Sequence, residues 1–522
     1  MPVRARKPNE LAQQVIPLML LGVGLVATNR IFTVLDDEAD TLASASQSAR
    51  EILIQTISGA ELHGYSPLYS FLLHFWLRLA RDDFGGLRIL PVVFFILGLL
   101  LLVRAARRVG GPASAFAVAW LAVLWPFGFY YGRLESGYAL SFFLVAALTL
   151  AYLRYVEKQT SGRWVALFLA GIFLLSTNYF GLVILACIGI DLWMRRQGES
   201  SLPVTPVASL MVLWCGGLVL FIHGLQHVLN AESNLHYGAA TVLANAAFCI
   251  YILFVSESVA PWHWVLGVPA GLAVGACAVL VFLHATPPAK RFLSYSALVV
   301  GVMAIAGILS PNQLMLIAPW VLLPVGVVIG TSTFQWVRNG LAASLLIIGG
   351  IGWYGAYSQK YYADPSFLAP WAQVADTAAG NVRQGATVIS DEPSFFFYLT
   401  YALREPGAGI PWKMAGLLPD QVHHPQVRSA KEWMAAGHPI PPAAVWVRGP
   451  FGPAETGPLA DASHELDRAC GARTSRLMMR DNGYGWRQRL FHENSELAWR
   501  IEVREYDCAS PRSQEVLPVP AR

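Results

Sequence analysis

Four carboxylates lie within five positions of the stretch FTVLDDEADTL at residues 32–42, directly after an apolar segment. They are Asp36, Asp37, Glu38 and Asp40. Crowded like charges raise at least one pKa, and a partly desolvated carboxylate beside a membrane can act as a general base toward a hydroxyl group. The same residue types are common at the start of a helix, where they accept from free backbone N–H groups. The pattern leaves both alternatives open, an acid/base site and a helix cap.

Two further stretches combine charged and aromatic residues. In FYYGRLESGYAL, at residues 129–140, Arg133 and Glu135 lie between tyrosines. A guanidinium group matches the geometry of phosphate oxygens, whereas the tyrosines also suit an aromatic belt at a membrane surface. Arg88 opens an apolar segment after a stretch that also holds Tyr65. It is a second candidate phosphate ligand, with ordinary lipid headgroup contact as the alternative.

Histidines cluster in residues 223–263, but their spacing does not indicate a metal centre. His223 and His227 are four residues apart and could share a helix face. A zinc site needs a third and a fourth ligand, and no HExxH motif accompanies the pair. Surface histidines are therefore the favoured interpretation. The other residues considered are His236, Glu232, Glu257 and His263.

The six cysteines contain no CxxC or Cys/His metal spacing. Four of them lie in apolar segments, where a thiol usually acts as a small hydrophobic group. Cys470 and Cys508 alone lie in the polar C-terminal third. These two are candidates for a disulfide if that region faces an oxidising compartment.

The composition indicates a polytopic membrane protein. Of the 522 residues, 55% are hydrophobic and 13% are charged, and the mean hydropathy is +0.47. Soluble domains carry about 25% charged residues. The net charge of +4 is too small to indicate a nucleic-acid partner.

Apolar segments of membrane length predict roughly 11 transmembrane helices. Basic clusters follow every second segment, which places the N-terminus in the cytoplasm. Two further apolar segments, 66–80 and 239–255, would break this alternation, and we interpret both as interfacial or re-entrant helices on the outer face. The predicted spans are 13–31, 88–103, 113–131, 138–153, 164–178, 180–194, 206–223, 263–284, 293–309, 314–331 and 337–357.

The character of the chain changes after residue 357. Stretches such as AAVWVRGPFGP and WRIEVREYDC alternate like β-strands, and Pro and Gly clusters separate them. We predict a transmembrane domain at 1–357 with a first outer loop at 32–87, and an extracytoplasmic α/β domain at 358–510. The tail at 511–522 is predicted to be disordered.

Several features follow one another in a recognisable order: LDDEADT, SPLYSFLLHFWLRL, GLRILP, PFGFYYGRLESGYAL and STNYFGLV. This order resembles bacterial membrane glycosyltransferases of the GT-C superfamily, in particular the protein O-mannosyltransferase-like and lipid A aminoarabinose transferase-like group. The resemblance runs over about residues 10–360 and is strongest over 30–185. It implies a GT-C fold and an inverting enzyme that moves a sugar from a polyprenyl-phosphate carrier to an acceptor hydroxyl outside the cytoplasmic membrane.

The resemblance also implies roles for individual residues. Asp37 and Glu38 are the implied catalytic pair, with Asp36 as the adjacent alternative. Asp37 would take the proton of the acceptor hydroxyl as the lipid phosphate leaves. The implied donor phosphate-binding residues are Arg88 and Arg133. The implied substrate-binding residues are Tyr65, Glu135 and Tyr138.

The partners and location follow from the same resemblance. The partners are a polyprenyl-phosphate sugar donor, membrane lipids, and a lipid, glycan or protein acceptor. No cofactor is certain, although carboxylates and phosphate together could hold Mg²⁺ or Mn²⁺. The expected location is the bacterial cytoplasmic (inner) membrane, with the C-terminal domain in the periplasm.

The sequence departs from the family pattern at three places. Tyr65-Ser66-Pro67 stands where His-Pro-Pro is usual, the 132–138 loop moves both charges, and Asn312-Gln313 replaces a late Arg-Tyr. These departures motivate an alternative, a non-catalytic protein that binds a polyprenyl lipid or scaffolds envelope polysaccharide assembly. A transporter is disfavoured, because the carboxylates cluster at a membrane edge and spans 88–103 and 113–131 lack charges in their middles.

Overall fold

The chain divides into two compact units. The membrane unit takes in the described residues of Met1–Ile31 and Ser48–Asp364, and the α/β unit takes in those of Phe32–Gln47 and from Pro365 onward. Residues 32–47 thus group with the C-terminal part of the chain, whereas the predicted outer loop at 32–87 was assigned wholly to the membrane domain. The computed structural model describes residues 8–29, 32–58, 67–80, 84–198, 239–307, 309–363, 365–403, 426–437, 439–449, 457–478 and 500–509, with isolated positions in 208–216.

The membrane unit is helical. Among the residues that the structure describes, five segments are long and apolar enough to cross a membrane: Gly85–Val123, Tyr138–Glu157, Trp264–His284, Pro311–Thr331 and Gln335–Ser358. Shorter apolar helices accompany them, and the protein is a multi-pass membrane protein. Its helices are α1 Pro8–Ala27, α3 Ala49–Ser58, α4 Pro67–Leu77, α5 Phe84–Leu87, α6 Ile89–Val123, α7 Pro126–Tyr131, α8 Tyr138–Glu157, α9 Ser161–Leu175, α10 Gly181–Gly198, α11 Ala239–Val255, α12 Trp264–His284, α13 Pro287–Ile305, α14 Leu314–Thr331 and α15 Gln335–Ser358.

Helix α6 is a hairpin of two arms. The rings of Phe95 and Trp125 have centroids 6.1 Å apart, although 30 residues of straight helix would separate them by about 45 Å. The chain reverses at Gly111, whose φ of 80° is readily adopted only by glycine. Pro112 follows at the first turn of the second arm, where no N–H is needed. The two arms correspond to the predicted spans at 88–103 and 113–131.

The long helices run between two ends of the membrane unit. One end, which we call the loop end, contains segments that connect the helices. Its residues include Thr28, Arg88, Tyr131, Tyr138, Asn312 and Tyr361. The basic end holds Arg108, Arg154, Asp191, Arg195 and Arg291. Asp191 accepts from Arg195 Nε at 2.7 Å, Arg291 Nη1 at 3.3 Å and Tyr295 Oη at 2.9 Å, and also from Tyr152. This carboxylate therefore ties α8, α10 and α13 together.

Helix α11 contacts the loop end at two places. Near its start, Asn245 Nδ2 donates to the carbonyl of Leu309 at 2.8 Å, just before the turn that holds Asn312. Near its end, Leu253 accepts from the Trp125 indole, and Glu257 follows beside Tyr131. Both contacts lie at the loop end, and the interfacial helix at 239–255 stays a prediction. The predicted span at 206–223 lies almost entirely outside the described residues.

The α/β unit is a three-layer sandwich. Its sheet has the order β2-β1-β3-β5-β4, in which β2, β1 and β3 are parallel and β5 runs antiparallel to both neighbours. The strands are β1 Thr387–Ile389, β2 Val427–Arg428, β3 Ala443–Arg448, β4 Gly471–Met478 and β5 Arg500–Asp507. The helices are α2 Asp36–Ser46, α16 Trp371–Arg383, α17 Pro393–Leu403, α18 Ala430–Ala435 and α19 Pro458–Ala469.

Alternate residues of β3 face the two helical layers. Val445 and Val447 pack with α16 and α17, whereas Ala444 and Trp446 pack with α18 and α19. A strand covered on both faces is apolar along its whole length, which explains the run AAVWV. Cys470 and Cys508, the candidate pair from the sequence, are joined by a disulfide in this unit. The predicted disordered tail at 511–522 lies outside the described residues.

Candidate active site

Asp37 and Glu38 are neighbours in the first turn of α2, but they differ in burial and in hydrogen bonding. The Glu38 side chain is fully buried, and its Oε2 accepts from the backbone N–H of Leu35 at 3.1 Å. Asp37 is exposed, and its main-chain carbonyl accepts from the Thr41 hydroxyl at 2.7 Å. Glu38 thus caps the helix, while the Asp37 carboxylate is accessible to a substrate. The side chain of Asp36 lies outside the described residues.

Helix α2 contacts α17 of the α/β unit and has one apolar face. Ala39, Leu42 and Ala43 are fully buried, and their spacing of three and four residues defines one helix face. The segment that precedes α2 is held at Val34, whose N–H donates to Tyr398 Oη and whose carbonyl accepts from Ser394 Oγ, each at 3.0 Å. This apolar face and these hydrogen bonds explain why residues 32–47 group with the α/β unit.

Arg88 and Arg133 meet at the C-terminus of α1, in the membrane unit. Arg88 Nη1 donates to the carbonyl of Asn29 at 2.8 Å, and Arg133 Nη1 donates to the carbonyl of Thr28 at 3.1 Å. Both guanidinium groups are fully buried. The last carbonyls of a helix lack intrahelical donors and carry partial negative charge, so cations are favourable there. The structure therefore brings together the two predicted phosphate ligands and gives each a role at the end of α1.

Arg133 is fixed on several sides. Its Nε donates to the carbonyl of Phe129 at 3.0 Å, and Nη1 also donates to the Thr28 hydroxyl at 2.7 Å. Its guanidinium carbon lies 4.0 Å from the centroid of the Phe129 ring, a cation–π contact. These contacts hold a formal positive charge in one place at the loop end.

The predicted substrate-binding residues take part in bonds between distant segments. Glu135 is fully buried and accepts from Tyr69 Oη at 2.7 Å, which links the loop before α8 to α4. Tyr138 Oη accepts from Asn312 Nδ2 at 2.7 Å, at the start of α8. Tyr65 lies outside the described residues. The structure therefore places Glu135 and Tyr138 at the same end of the membrane unit as Arg88 and Arg133.

Glu257 belongs to the loop end, although the sequence pointed to it only as one member of a histidine-rich segment. It is buried and accepts from Tyr131 Oη at 3.1 Å. Burial raises the pKa of the nearby Tyr362 phenol, an effect that the charge of Arg133 opposes and that of Glu257 reinforces. Ser256 has a φ of 70°, an uncommon backbone conformation for a residue with a side chain. No local sequence motif identifies Glu257, and only its long-range contact with Tyr131 shows that it belongs to this site.

Comparisons with known proteins were made on both sequence and structure. No protein-family model matches the chain, and no curated protein matches it. A crystal structure of ArnT from Cupriavidus metallidurans bound to undecaprenyl phosphate matches with a TM-score of 0.50 and 13% sequence identity. That match covers 94% of this chain and 98% of ArnT. The chain has the GT-C fold. The resemblance predicted from the sequence is thereby confirmed for the fold.

Two other crystal structures also match the chain. ArnT from Cupriavidus metallidurans in the apo state matches with a TM-score of 0.48 and 14% identity, over 94% of this chain and 97% of ArnT. The Archaeoglobus fulgidus oligosaccharyltransferase in complex with Zn and sulfate matches with a TM-score of 0.40 and 13% identity. The latter match covers 77% of this chain and 58% of the oligosaccharyltransferase.

Within this GT-C fold, the Asn312-Gln313 pair connects three helices. Asn312 contacts Tyr138 at the start of α8, and Gln313 Oε1 accepts from Asn178 Nδ2 at 3.1 Å, just before α10. Both residues directly precede α14. The sequence resemblance would place Arg-Tyr at these two positions. This chain has the neutral pair Asn312-Gln313 there instead, so the positive charge of the arginine is missing.

Carboxylates and histidines are the side chains that could hold a divalent cation in this fold. Among the described residues, no group of three or more His, Cys, Asp and Glu side chains could hold a metal ion. His263 packs against the Tyr361 ring with centroids 4.5 Å apart. His223, His227, Glu232 and His236 lie outside the described residues. The Mg²⁺ or Mn²⁺ considered from the sequence would be held by carboxylates together with a donor phosphate, and it stays a prediction.

Proposed function

We propose that the protein is a glycosyltransferase that moves a sugar from a polyprenyl-phosphate-linked donor to an acceptor hydroxyl. The observation that carries this proposal is the GT-C fold shared with ArnT over nearly the whole of both chains, because that ArnT structure is bound to undecaprenyl phosphate. The exposed carboxylate of Asp37, at the position implied by the sequence resemblance, supplies a group for the chemistry.

In the proposed reaction, Asp37 acts as a general base. Its carboxylate takes the proton of the acceptor hydroxyl while the hydroxyl oxygen forms a bond to the anomeric carbon of the sugar. The bond between that carbon and the phosphate oxygen breaks, and the polyprenyl phosphate leaves with the electron pair. Attack opposite the leaving group inverts the anomeric centre. Glu38 supports this reaction as the cap of α2, which fixes the turn that carries Asp37.

Arg88 and Arg133 stabilise the leaving phosphate in this proposal. Negative charge increases on the phosphate as its bond to the sugar breaks, and fixed positive charges in a site of low dielectric constant favour that change. Both guanidinium groups are buried and held at the end of α1, so they need no reorganisation during the reaction. Tyr65, Glu135 and Tyr138 are proposed to contact the sugar or the acceptor.

The proposed location is the bacterial cytoplasmic membrane, with the basic end in the cytoplasm. Arginines concentrate at that end, as the positive-inside rule requires of cytoplasmic loops. The loop end and the α/β unit then face the periplasm. The disulfide between Cys470 and Cys508 supports this orientation, because such bonds persist in oxidising compartments. The acceptor is a lipid, a glycan or a protein, and membrane lipids surround the helices.

The test is transfer of radiolabelled sugar from a panel of polyprenyl-phosphate sugars by membranes that contain wild-type or Asp37→Asn protein. We expect transfer by the wild type and a loss of about 100-fold or more in the variant, because a positioned general base contributes about 10²–10⁴-fold. Asp40→Asn is the matched control: it makes the same change one helical turn away and should retain transfer. Equal transfer by wild type and Asp37→Asn would remove Asp37 from the chemistry.

A second candidate function is a non-catalytic protein that binds a polyprenyl lipid. The engagement of Arg88 and Arg133 with the end of α1 favours it, because both arginines then have a structural reason to be present. This candidate predicts that undecaprenyl phosphate co-purifies with the wild type and with Asp37→Asn alike, as measured by native mass spectrometry. Transfer from any donor in the panel would exclude it.

A further inference from the structure

We propose that Ser394 and Tyr398 of α17 are positioning residues for Asp37. The proposal rests on the proposed function, and it assigns to the C-terminal α/β unit the role of holding the catalytic segment in place. Neither residue is expected to touch the substrate. Each acts through the backbone of Val34, three residues before Asp37.

The two hydroxyl groups hold both polar groups of one residue. The N–H of Val34 donates to Tyr398 Oη at 3.0 Å, and its carbonyl accepts from Ser394 Oγ at 3.0 Å. Ser394 and the Val34 side chain are fully buried. Tyr398 and Ser394 are four residues apart and therefore lie on the same face of α17. This pairing resembles the hydrogen bonding of an added β-strand, but side-chain hydroxyls supply it.

Further contacts make the attachment rigid. The Thr33 hydroxyl donates to the carbonyl of Ala369 at 3.2 Å, next to the residue that Ser394 and Tyr398 hold. Helix α2 also contacts α17 directly, and Ala39 and Leu42 of α2 are fully buried. Because the N-terminal turn of α2 begins directly after Val34 and Leu35, these contacts determine where the Asp37 carboxylate points.

The α17 helix is itself anchored at its N-terminus. Glu392, which directly precedes α17, is buried, and its Oε1 accepts from the N–H of Gly449 at 2.9 Å, just after β3. A Cβ atom at Gly449 would lie 2.2 Å from Glu392 Cδ, so the backbone and the carboxyl group approach as closely as glycine allows. A continuous set of bonds thus connects the central strand β3, through Glu392 and α17, to the segment that carries Asp37.

Positioning of this kind matters for a general base. The base must lie within hydrogen-bonding distance of the proton that it removes, and a displacement of about 1 Å can cost about 100-fold in rate. Removal of one hydroxyl on α17 should therefore lower turnover without changing how the donor lipid binds. A purely structural role of α17 would instead change the amount of folded protein and leave the turnover of folded molecules unchanged.

The experiment compares Tyr398→Phe and Ser394→Ala with the wild type and with Thr400→Val as a matched control. Thr400 lies on the same helix, and its hydroxyl donates to the carbonyl of Phe396 at 2.9 Å, within α17. Two quantities are measured on purified protein: kcat and donor KM for sugar transfer, and amide hydrogen exchange in residues 32–47. The exchange measurement does not depend on activity.

We expect kcat to fall about 10- to 100-fold in Tyr398→Phe and Ser394→Ala with an unchanged donor KM. Exchange in residues 32–47 should become faster in the same two variants and stay at the wild-type rate in Thr400→Val. Unchanged exchange in Tyr398→Phe and Ser394→Ala would overturn the positioning role, and so would faster exchange with an unchanged kcat. If the wild type transfers sugar in the same assay, the proposed function is unaffected by either result. A wild type without transfer from any donor would overturn both.

Discussion

The two ends of the membrane unit hold their arginines in different ways. At the basic end, Arg195 and Arg291 donate to the buried carboxylate of Asp191, and Arg108 donates to Glu157. At the loop end, Arg88 and Arg133 donate to main-chain carbonyls at the end of α1. A carboxylate partner offsets part of a guanidinium charge, whereas a main-chain carbonyl partner orients the guanidinium group through a hydrogen bond.

This difference connects structure with the proposed function. The Asp191 network joins three helices at the basic end and pairs one buried carboxylate with two arginines. The α1 terminus at the loop end orients two buried guanidinium groups, and in our proposal these fixed groups favour the charge of a leaving phosphate. The same residue type therefore serves packing at one end and, in our proposal, chemistry at the other.

The strongest test of this comparison removes one arginine from each end. Arg133→Met should lower transfer per folded molecule by about 100- to 1,000-fold, the effect expected when a fixed group that stabilises transition-state charge is lost. Arg291→Met removes an arginine of the basic end and should leave transfer per folded molecule unchanged. The measurement is the initial rate of sugar transfer, normalised to the folded fraction from size-exclusion chromatography.

Arg133→Lys separates charge from geometry at the same position. Lysine retains the positive charge but lacks the planar fork that reaches Thr28 and Phe129. Its transfer rate should lie between those of the wild type and Arg133→Met. A wild-type rate in Arg133→Met would contradict the electrostatic role and leave Arg133 as a cap of α1.

A smaller effect, on stability instead of rate, is expected at the basic end. Asp191→Asn removes the charge that pairs with Arg195 and Arg291, and breaking a buried pair costs about 3–5 kcal/mol. Arg195 and Arg291 keep 27% and 45% of their side chains exposed, so we expect a loss of about 2–3 kcal/mol after solvent screening. Thermal unfolding in detergent measures this loss. A fall in transfer larger than the loss of folded protein would show that the basic end also takes part in the reaction.

Much of the membrane unit could be predicted from the sequence, because helix length and charge position are local properties. The apolar segments around Gly111 predicted two spans, and a glycine followed by a proline supplied the reversal between them. The GT-C resemblance followed from the order of short motifs. These properties need no knowledge of which helices touch.

The contacts that define the candidate site are long-range and could not be predicted in this way. Val34 and Tyr398 are 364 residues apart, and nothing local to either residue indicates their hydrogen bond. The same holds for Glu257 and Tyr131, which are 126 residues apart. The sequence therefore proposed Asp37, Arg88 and Arg133 by residue type, but it did not reveal the cap of α1 or the attachment of residues 32–47 to the α/β unit.

The smallest expected effect distinguishes the two neighbouring carboxylates of α2. Glu38→Ala removes the acceptor for the Leu35 N–H and should destabilise the first turn of α2 by about 1 kcal/mol, seen as faster amide exchange at residues 35–41. Asp37→Ala should speed that exchange less than Glu38→Ala does, since the Asp37 side chain is exposed whereas that of Glu38 is buried.

Glu38→Gln decides between capping and acid/base roles for Glu38. Glutamine keeps an oxygen that can accept from the Leu35 N–H but does not carry the negative charge. If Glu38 acts as a cap, Glu38→Gln should recover most of the transfer lost in Glu38→Ala, whereas Asp37→Asn should recover none of that lost in Asp37→Ala. The opposite result would be recovery of transfer in Asp37→Asn and no recovery in Glu38→Gln. It would reverse the two roles, so that the buried carboxylate of Glu38 would be the general base.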